Sequence, residues 1–248
     1  MEKIERITTG VKGLDEKMQG GFYRGSVNLI TGKTGTGKTA FSSTFLFQGA
    51  LKGEPGFYMS TEERVEDIRG DIAAMFGWDL SQIEKKKLLN FIYVKPTFPL
   101  KSINTEEMNK FVKLYLFDIT DQVVKGIKAN DAKRVVIDSV SIIEMFVKDE
   151  YLSRTVLIQL VEKLKSLGVT VLLTGTIPET SEALSGGGII EYIVDSVIKL
   201  DFLPVAEDFK RTLTIRKMRR TDHSVHIHPF EIGKSGIEII EIPQYKTR

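Results

Sequence analysis

The stretch SVNLITGKTGTGKT, residues 26–39, decides the fold of this chain. Its first part, Ser26–Thr31, is β-branched and apolar and predicts a buried strand. The region that follows, Lys38–Leu51, predicts a helix. Between the two, the spacing G-x-x-x-x-G-K-[ST] is matched without a gap by Gly32, Lys33, Thr34, Gly35, Thr36, Gly37, Lys38 and Thr39.

This motif, between a strand and a helix, predicts a cradle for ATP with magnesium. Glycines let backbone N–H groups turn toward phosphate oxygens, and the N-terminal end of the helix adds positive charge. Lys38 is placed to reach the β- and γ-phosphates, and Thr39 to ligate Mg²⁺. A chance Gly- and Thr-rich turn is the alternative, but both the motif and its context agree with the phosphate cradle.

Short apolar strands alternate with amphipathic helices along most of the chain. The predicted strands are 26–31, 56–61, 91–94, 133–138 and 169–174, and the helices are 38–51, 64–76, 106–128 and 151–167. This alternation predicts an α/β fold with a mostly parallel central sheet flanked by helices. After a loop over 178–188, predicted strands at 192–200, 211–218, 225–230 and 236–242 indicate a C-terminal antiparallel extension. No linker divides the chain, so we expect a single domain over residues 1–248.

Composition excludes several classes of protein. The 248 residues carry a net charge of only +2, which gives no general argument for a nucleic-acid partner. The absence of cysteine excludes disulfides and thiolate chemistry. The N-terminus lacks a signal-peptide pattern, and no apolar stretch approaches the ~18–20 residues of a membrane span. We therefore expect a cytoplasmic protein without a membrane partner.

One predicted strand, residues 133–138, ends in the carboxylate of Asp138. An enzyme with a phosphate-binding loop needs such a residue to hold Mg²⁺ through water. A helix-capping role is the alternative. Beside the motif at 32–39 we favour the magnesium role, which gives Thr39 and Asp138 as the metal residues.

Two adjacent carboxylates, Glu62 and Glu63, follow the strand after the first helix. Ligands bind at the carboxyl ends of parallel strands, so this pair is expected near the γ-phosphate. One of the two could polarise the attacking water. Acidic residues are also favoured at a helix N-terminus, and the pattern alone leaves both interpretations open.

The segment Arg216–Arg220 (RKMRR) is unusually basic for a strand end. It could be a solvated edge that prevents aggregation, a nucleic-acid patch, or a set of cations that reach a phosphate on a neighbouring subunit. Nearby, His223, His226 and His228 are the only histidines, with the last two expected on one face of a strand. Packing or polar contacts are a more ordinary use for them than a metal site.

Taken together, these pieces resemble the KaiC-type branch of the RecA ATPase superfamily over nearly the whole chain. The resemblance begins at TGVKGLD (residues 9–15) with the paired glycines 20 and 21, and continues through 32–39 and Glu62-Glu63. It ends with KMR (217–219), TDHS (221–224) and HPFEI (228–232), a signature far more specific than the phosphate loop. The chain is similar to single-domain archaeal KaiC homologues.

The resemblance implies a RecA-like fold and a hexameric ring with ATP between subunits. It implies that Glu62 activates water with support from Glu63, and that Lys38 acts in catalysis. It also implies that the neighbour's nucleotide is contacted by Lys217, Met218, Arg219, Thr221 and His223, with Lys217 and Arg219 at its γ-phosphate. Turnover is expected to be slow, and a further protein partner is expected but unidentified.

Two positions depart from the family pattern. Arg220 stands where the family often has glycine, and Glu191-Tyr192 stands where its autophosphorylating domain has a Ser-Thr pair. Clock-type autophosphorylation is therefore not expected.

The alternative function is that of a RecA- or RadB-like DNA-binding recombination or repair ATPase. The loop 178–188 lies where such proteins often bind DNA, but it carries no Lys or Arg. A nucleotide-gated binding module that barely hydrolyses ATP is a third hypothesis. Salt-dependent binding to single-stranded DNA would favour the DNA-binding function, and ring assembly without phosphate release would favour the binding module.

Overall fold

The computed structural model describes residues 4–95, 104–141, 150–181, 183–185, 188–205 and 207–241. The strands are β1 (Arg6–Ile7), β2 (Phe22–Tyr23), β3 (Val27–Gly32), β4 (Gly56–Ser60), β5 (Leu89–Tyr93), β6 (Arg134–Asp138), β7 (Thr170–Thr176), β8 (Ser196–Val205), β9 (Asp208–Met218), β10 (His228–Gly233) and β11 (Gly236–Ile239). The helices are α1 (Lys38–Leu51), α2 (Val65–Phe76), α3 (Ser81–Lys85), α4 (Thr105–Asn130), α5 (Glu150–Ser166) and α6 (Ile190–Ile193), with a 3-10 helix at Asp15–Met18.

Nine strands form one sheet in the order β11-β10-β9-β8-β3-β7-β6-β4-β5, and β1 pairs with β2 in a separate ribbon. The strands from β8 to β5 in this order are parallel, whereas β9, β10 and β11 pair antiparallel. The predicted α/β fold, with its mostly parallel sheet and its antiparallel C-terminal extension, is confirmed.

The parallel strands are apolar on both faces because each face is covered by helices. Side chains alternate along a strand, so Leu29 packs with α4 and α5 while the next residue, Ile30, packs with α1 and α2 on the opposite face. The sheet lies between the two cores. Parallel pairing places the carboxyl ends of β3, β7, β6 and β4 at one edge.

Several predicted strand boundaries differ from the observed ones: the strand predicted over 211–218 begins at Asp208, the one predicted over 236–242 ends at Ile239, and two further differences have a clear structural cause. The strand expected from Tyr192 begins at Ser196, because residues 190–193 form α6 instead. The strand expected from Val225 begins at His228, where pairing with Leu213 of β9 starts. Before that point Val225 and Ile227 are 78% and 56% exposed, so their apolar character does not reflect a buried strand.

Parts of two predictions lie outside the described residues. They are positions 182, 186 and 187 of the loop predicted over 178–188, and Ile242 at the end of the last predicted strand. Within the described ranges, none of the helices combines the length and the apolar character that crossing a membrane requires.

A buried arginine joins the base of the sheet to helix α1. The side chain of Arg134, at the start of β6, is 0% exposed and pairs with Glu54. It also donates to the carbonyl oxygens of Thr8 and Phe45 at 2.8 and 2.9 Å. Gly49 makes room for it, because a Cβ at that position would lie 2.3 Å from the arginine side chain.

Candidate active site

The phosphate-binding loop follows β3 directly and leads into α1. Gly32 ends the strand, where a Cβ would lie only 2.4 Å from the carbonyl oxygen of Leu200 on β8. Gly37 precedes the helix with φ of 110°, a conformation that L side chains rarely adopt. Thr36 is buried and donates to the carbonyl oxygen of Lys33 at 2.8 Å, which braces the loop from inside. The glycines of the motif are therefore required by this backbone.

The ammonium group of Lys38 folds back over the loop. It donates to the carbonyl oxygens of Gly32 and Lys33 at 2.9 and 3.0 Å. Burial lowers the pKa of Lys38, although the nearby carboxylates of Asp138 and Glu62 act in the opposite direction. This cation stands where a phosphate group would meet the loop.

The carboxylate of Asp138, at the end of β6, accepts hydrogen bonds from hydroxyl groups on one helix and two strands. Its Oδ2 atom faces the hydroxyl of Thr39 on α1 at 3.4 Å and accepts from the hydroxyl of Tyr58 on β4. Its Oδ1 atom accepts from the hydroxyl of Thr174 on β7. Burial, together with this carboxylate, raises the pKa of Tyr58 well above its ordinary value, so the phenol stays a donor.

The two adjacent glutamates follow β4 and differ in their surroundings. Glu62 accepts a hydrogen bond from the hydroxyl of Ser139, the residue after Asp138. The backbone N–H of Glu63 donates to the hydroxyl of Ser60 at 3.0 Å. Burial, followed by the negative charge of Asp138, raises the pKa of Glu63. The structure therefore brings the expected glutamates to the same edge of the sheet as the phosphate-binding loop and Asp138.

The basic segment, residues 216–220, ends near the amino ends of the parallel strands. The phosphate-binding loop lies at their carboxyl ends, the opposite edge of the sheet. Lys217 pairs with Val197 on β8, which is level with Leu29 of β3, whereas the loop begins at Gly32. Three residues correspond to about 10 Å along a strand, and β9 is two strands, again about 10 Å, from β3. Lys217 therefore does not share a site with the phosphate-binding loop of its own chain.

The ammonium group of Lys217 points further from that loop. It donates to the carbonyl oxygens of Glu191, Tyr192 and Val194 at 2.9, 3.1 and 2.7 Å. Burial, and then the positive charge of Arg219, lowers its pKa. A β-bulge at the preceding position of β9 changes the register of the strand just before this cation.

The residues after Lys217 stay at this edge. Met218 ends β9, and the N–H of Arg219 donates to the carbonyl oxygen of Asp195 at 2.9 Å. Arg220 has φ of 57°, a left-handed conformation that glycine adopts more readily than other residues. The hydroxyl of Thr221 accepts from Arg6 at 3.1 Å.

The histidines are not arranged as a metal site. His223 contacts the carbonyl oxygen of Ser224 at 3.0 Å, and His228 contacts the hydroxyl of the same serine at 2.9 Å. The expectation that His226 and His228 share a strand face is wrong, since β10 begins at His228. In the described part of the chain, no group of three or more His, Asp or Glu side chains is placed to hold a metal.

Three hydroxyl groups around the carboxylates were not predicted from the sequence, those of Tyr58, Ser139 and Thr174. Their role depends on which strands become neighbours, since β4 and β7 both flank β6. The available signal was weak: each is a polar group within, or directly after, an otherwise apolar strand.

Comparisons with known proteins agree on the family. The family model described as "ATPase: KaiC" matches residues 7–244. A UPF0273 protein of Thermotoga maritima is 35% identical over 239 residues, covering 95% of this chain and 96% of the relative. The circadian clock protein KaiC2 of Synechocystis is 34% identical over 240 residues, covering 96% of this chain but 40% of that protein.

A solved structure supports the same assignment. The KaiC-like protein from the hyperthermophilic archaeon Pyrococcus horikoshii superposes with a TM-score of 0.81 at 37% identity, covering 96% of this chain and 100% of the other. The phosphate-binding loop, the carboxylates at its edge and the matches above agree with one another. This chain belongs to the KaiC-like family of RecA-type ATPases.

Proposed function

We propose that the protein is an Mg²⁺-dependent ATPase that works as a homo-oligomeric ring, with six subunits and ATP at each interface. The observation that carries this proposal is the separation of Lys217 from the phosphate-binding loop of its own chain, on opposite edges of one sheet. Cations that serve the reaction from there must serve a neighbour's nucleotide. A head-to-tail contact of this kind forms a ring when its rotation closes, and a ring is the assembly proposed here.

In the proposed site, residues 32–39 hold the triphosphate. Backbone N–H groups and the N-terminus of α1 bind its oxygens, and Lys38 exchanges its present carbonyl partners for the β- and γ-phosphates. The desolvation of Lys38 strengthens its attraction to phosphate, because charges interact more strongly away from water.

The residues present fit a magnesium ion. Mg²⁺ prefers oxygen ligands and is usually held by one or two carboxylates together with substrate phosphates. The hydroxyl of Thr39 and the carboxylate of Asp138 face each other at 3.4 Å beside the loop and supply such oxygens. When bound, the ion would neutralise charge that develops on the phosphates.

Glu62 is the proposed base that orients the attacking water. Its carboxylate is held by Ser139 next to Asp138, at the edge where the γ-phosphate would lie. Glu63, the adjacent carboxylate, is proposed to support Glu62 without itself taking the proton. Water then attacks the γ-phosphorus in line with the leaving oxygen, and Glu62 receives a proton from that water.

The neighbouring subunit supplies the remaining positive charge. Lys217 and Arg219 would approach the γ-phosphate, while Met218, Thr221 and His223 would lie along the same nucleotide. This arrangement stabilises negative charge that grows in the transition state. Slow turnover, a single domain over residues 1–248, a cytoplasmic location and an unidentified protein partner belong to the same proposal.

Mixed oligomers of two inactive variants test the shared site. Glu62→Gln and Lys217→Ala, each produced alone, should hydrolyse ATP very slowly. When both are co-expressed with different affinity tags and purified through both tags, some interfaces combine an intact Glu62 with an intact Lys217 from the neighbour. Recovered activity supports the intersubunit site. Verified mixed oligomers without recovered activity would overturn it.

A further inference from the structure

A fully buried tyrosine hydroxyl lies beside the proposed magnesium site. The side chain of Tyr58, on β4, is 0% exposed, and its ring stacks on Phe91 of β5 with centroids 5.4 Å apart. A phenylalanine would fill the same space. Burying a hydroxyl costs free energy unless it finds a hydrogen-bond partner, and the partner here is Oδ2 of Asp138.

The carboxylate of Asp138 is held from both sides. Tyr58 donates to Oδ2, and Thr174 of β7 donates to Oδ1. The strands β4 and β7 lie on either side of β6, so the two donors approach from opposite directions. With both oxygens engaged, the carboxylate cannot rotate without losing a charge-assisted hydrogen bond. Oδ2 thereby keeps its position opposite Thr39, at 3.4 Å.

We propose that Tyr58 is a positioning residue for magnesium, whose buried hydroxyl acts with that of Thr174 to hold the Asp138 carboxylate toward Thr39. This inference rests on the proposed function, since it assigns a role at the same site. Partners that orient a ligand in this way change metal affinity about 10–100-fold when they are removed. Tyr58 touches neither nucleotide nor water in this scheme and acts only through Asp138.

The test measures metal binding directly. Mn²⁺ serves as the probe, and its dissociation constant is measured by electron paramagnetic resonance in the presence of a non-hydrolysable ATP analogue. Tyr58→Phe should raise that constant about 10-fold or more. Affinity for the analogue in EDTA should stay unchanged. The matched control is Tyr115→Phe, which removes a tyrosine hydroxyl on α4 and should leave Mn²⁺ binding unchanged.

Two further variants separate positioning from folding. Thr174→Val removes the donor to the other oxygen and should weaken Mn²⁺ binding in the same direction, while Thr174→Ser should restore it. If Tyr58→Phe folds, wild-type Mn²⁺ affinity in that variant is sufficient to overturn the inference. If it does not fold, the two Thr174 variants provide the test, and wild-type Mn²⁺ affinity in Thr174→Val would overturn the inference. A wild-type complex that binds no Mn²⁺ would overturn the proposed function as well.

Discussion

Lys217 and Val194 are joined by a hydrogen bond of 2.7 Å from the ammonium group to the backbone carbonyl oxygen. Together with the bonds to Glu191 and Tyr192, it fixes the lysine at the edge of the sheet opposite the phosphate-binding loop. The position of this cation is therefore determined by contacts within the chain.

Replacing Lys217 by alanine should lower kcat by about 10³-fold or more, the effect typical of a cation supplied to a phosphoryl-transfer site. ATP binding to the loop of the same chain should be kept. Phosphate release and the binding of a fluorescent ATP analogue measure the two quantities. Lys210→Ala, an exposed lysine on the same strand, is the control. Equal kcat values for both variants would contradict the role of Lys217.

Substitutions of Glu62 and Glu63 should differ clearly in their effect on kcat. Glu62→Gln removes the proposed base and should lower kcat by about 10²–10⁴-fold with little change in ATP affinity. Glu63→Gln should lower it much less, because Glu62 keeps its hydrogen bond to Ser139. Single-turnover measurements on both variants make the comparison. A larger loss in Glu63→Gln would exchange the two assignments.

The raised pKa of Glu63 predicts a pH-dependent stability. Between the ordinary value of 4.5 and the raised value, the folded protein binds more protons at this site than the unfolded chain does. The contribution of Glu63 to stability therefore falls as pH rises through that window, and the cost persists at neutral pH.

Glu63→Gln should consequently raise the unfolding midpoint at pH 7, with a gain that shrinks as pH falls through the window above about 4.5 and is absent below it. Denaturant unfolding across this range provides the measurement. The exposed Glu162→Gln on α5 should show no such trend. A gain for Glu63→Gln that grows toward acid pH would contradict the sign.

Arg134 should be among the most sensitive positions for stability. Arg134→Met removes one partner of a buried ion pair and leaves the carbonyl oxygens of Thr8 and Phe45 without their donor, so unfolding free energy should fall by about 3 kcal/mol. Lys133→Met breaks only the exposed pair with Asp131 and should cost less than about 1 kcal/mol. Urea unfolding of the two variants compares them, and equal losses would contradict the prediction.

The left-handed backbone at Arg220 can be measured by substitution. Arg220→Gly and Arg220→Ala both remove the guanidinium group that lies over the Tyr23 ring. Only alanine keeps a Cβ in a conformation with φ of 57°. The glycine variant should therefore be more stable than the alanine variant by about 1 kcal/mol in thermal or denaturant unfolding. Equal stabilities would mean that this backbone relaxes without cost.

The sequence was most informative where local pattern and chemistry coincide. Helix α1 begins at Lys38 and ends at Leu51 as predicted, because the motif fixes its start and the apolar face continues without a break. Asp138 and Thr39 were predicted as the magnesium residues because an enzyme with a phosphate-binding loop needs a carboxylate there, and the two side chains lie 3.4 Å apart. Neither result needed knowledge of the strand order.

The remaining features depend on tertiary neighbours. The apolar residues from 189 to 194 fit a strand equally well, and only the packing of α6 and the pairing of β8 with β3 decide between them. In the same way, the sequence alone indicates only that Tyr58 is a buried aromatic residue of a strand. Its hydroxyl gains a role only because β6 becomes the neighbour of β4. A single sequence does not contain that order.

The placement of Lys217 and Gly32 on opposite edges of the sheet has a kinetic consequence. If the site is shared as proposed, an isolated chain can hold a nucleotide yet lacks the cations to cleave it. Specific activity should then rise with protein concentration and level off once the contacts between chains are filled. Dilution alone would then abolish ATP hydrolysis while every chain stays folded with its nucleotide bound. The concentration of the chain would therefore control its ATPase activity.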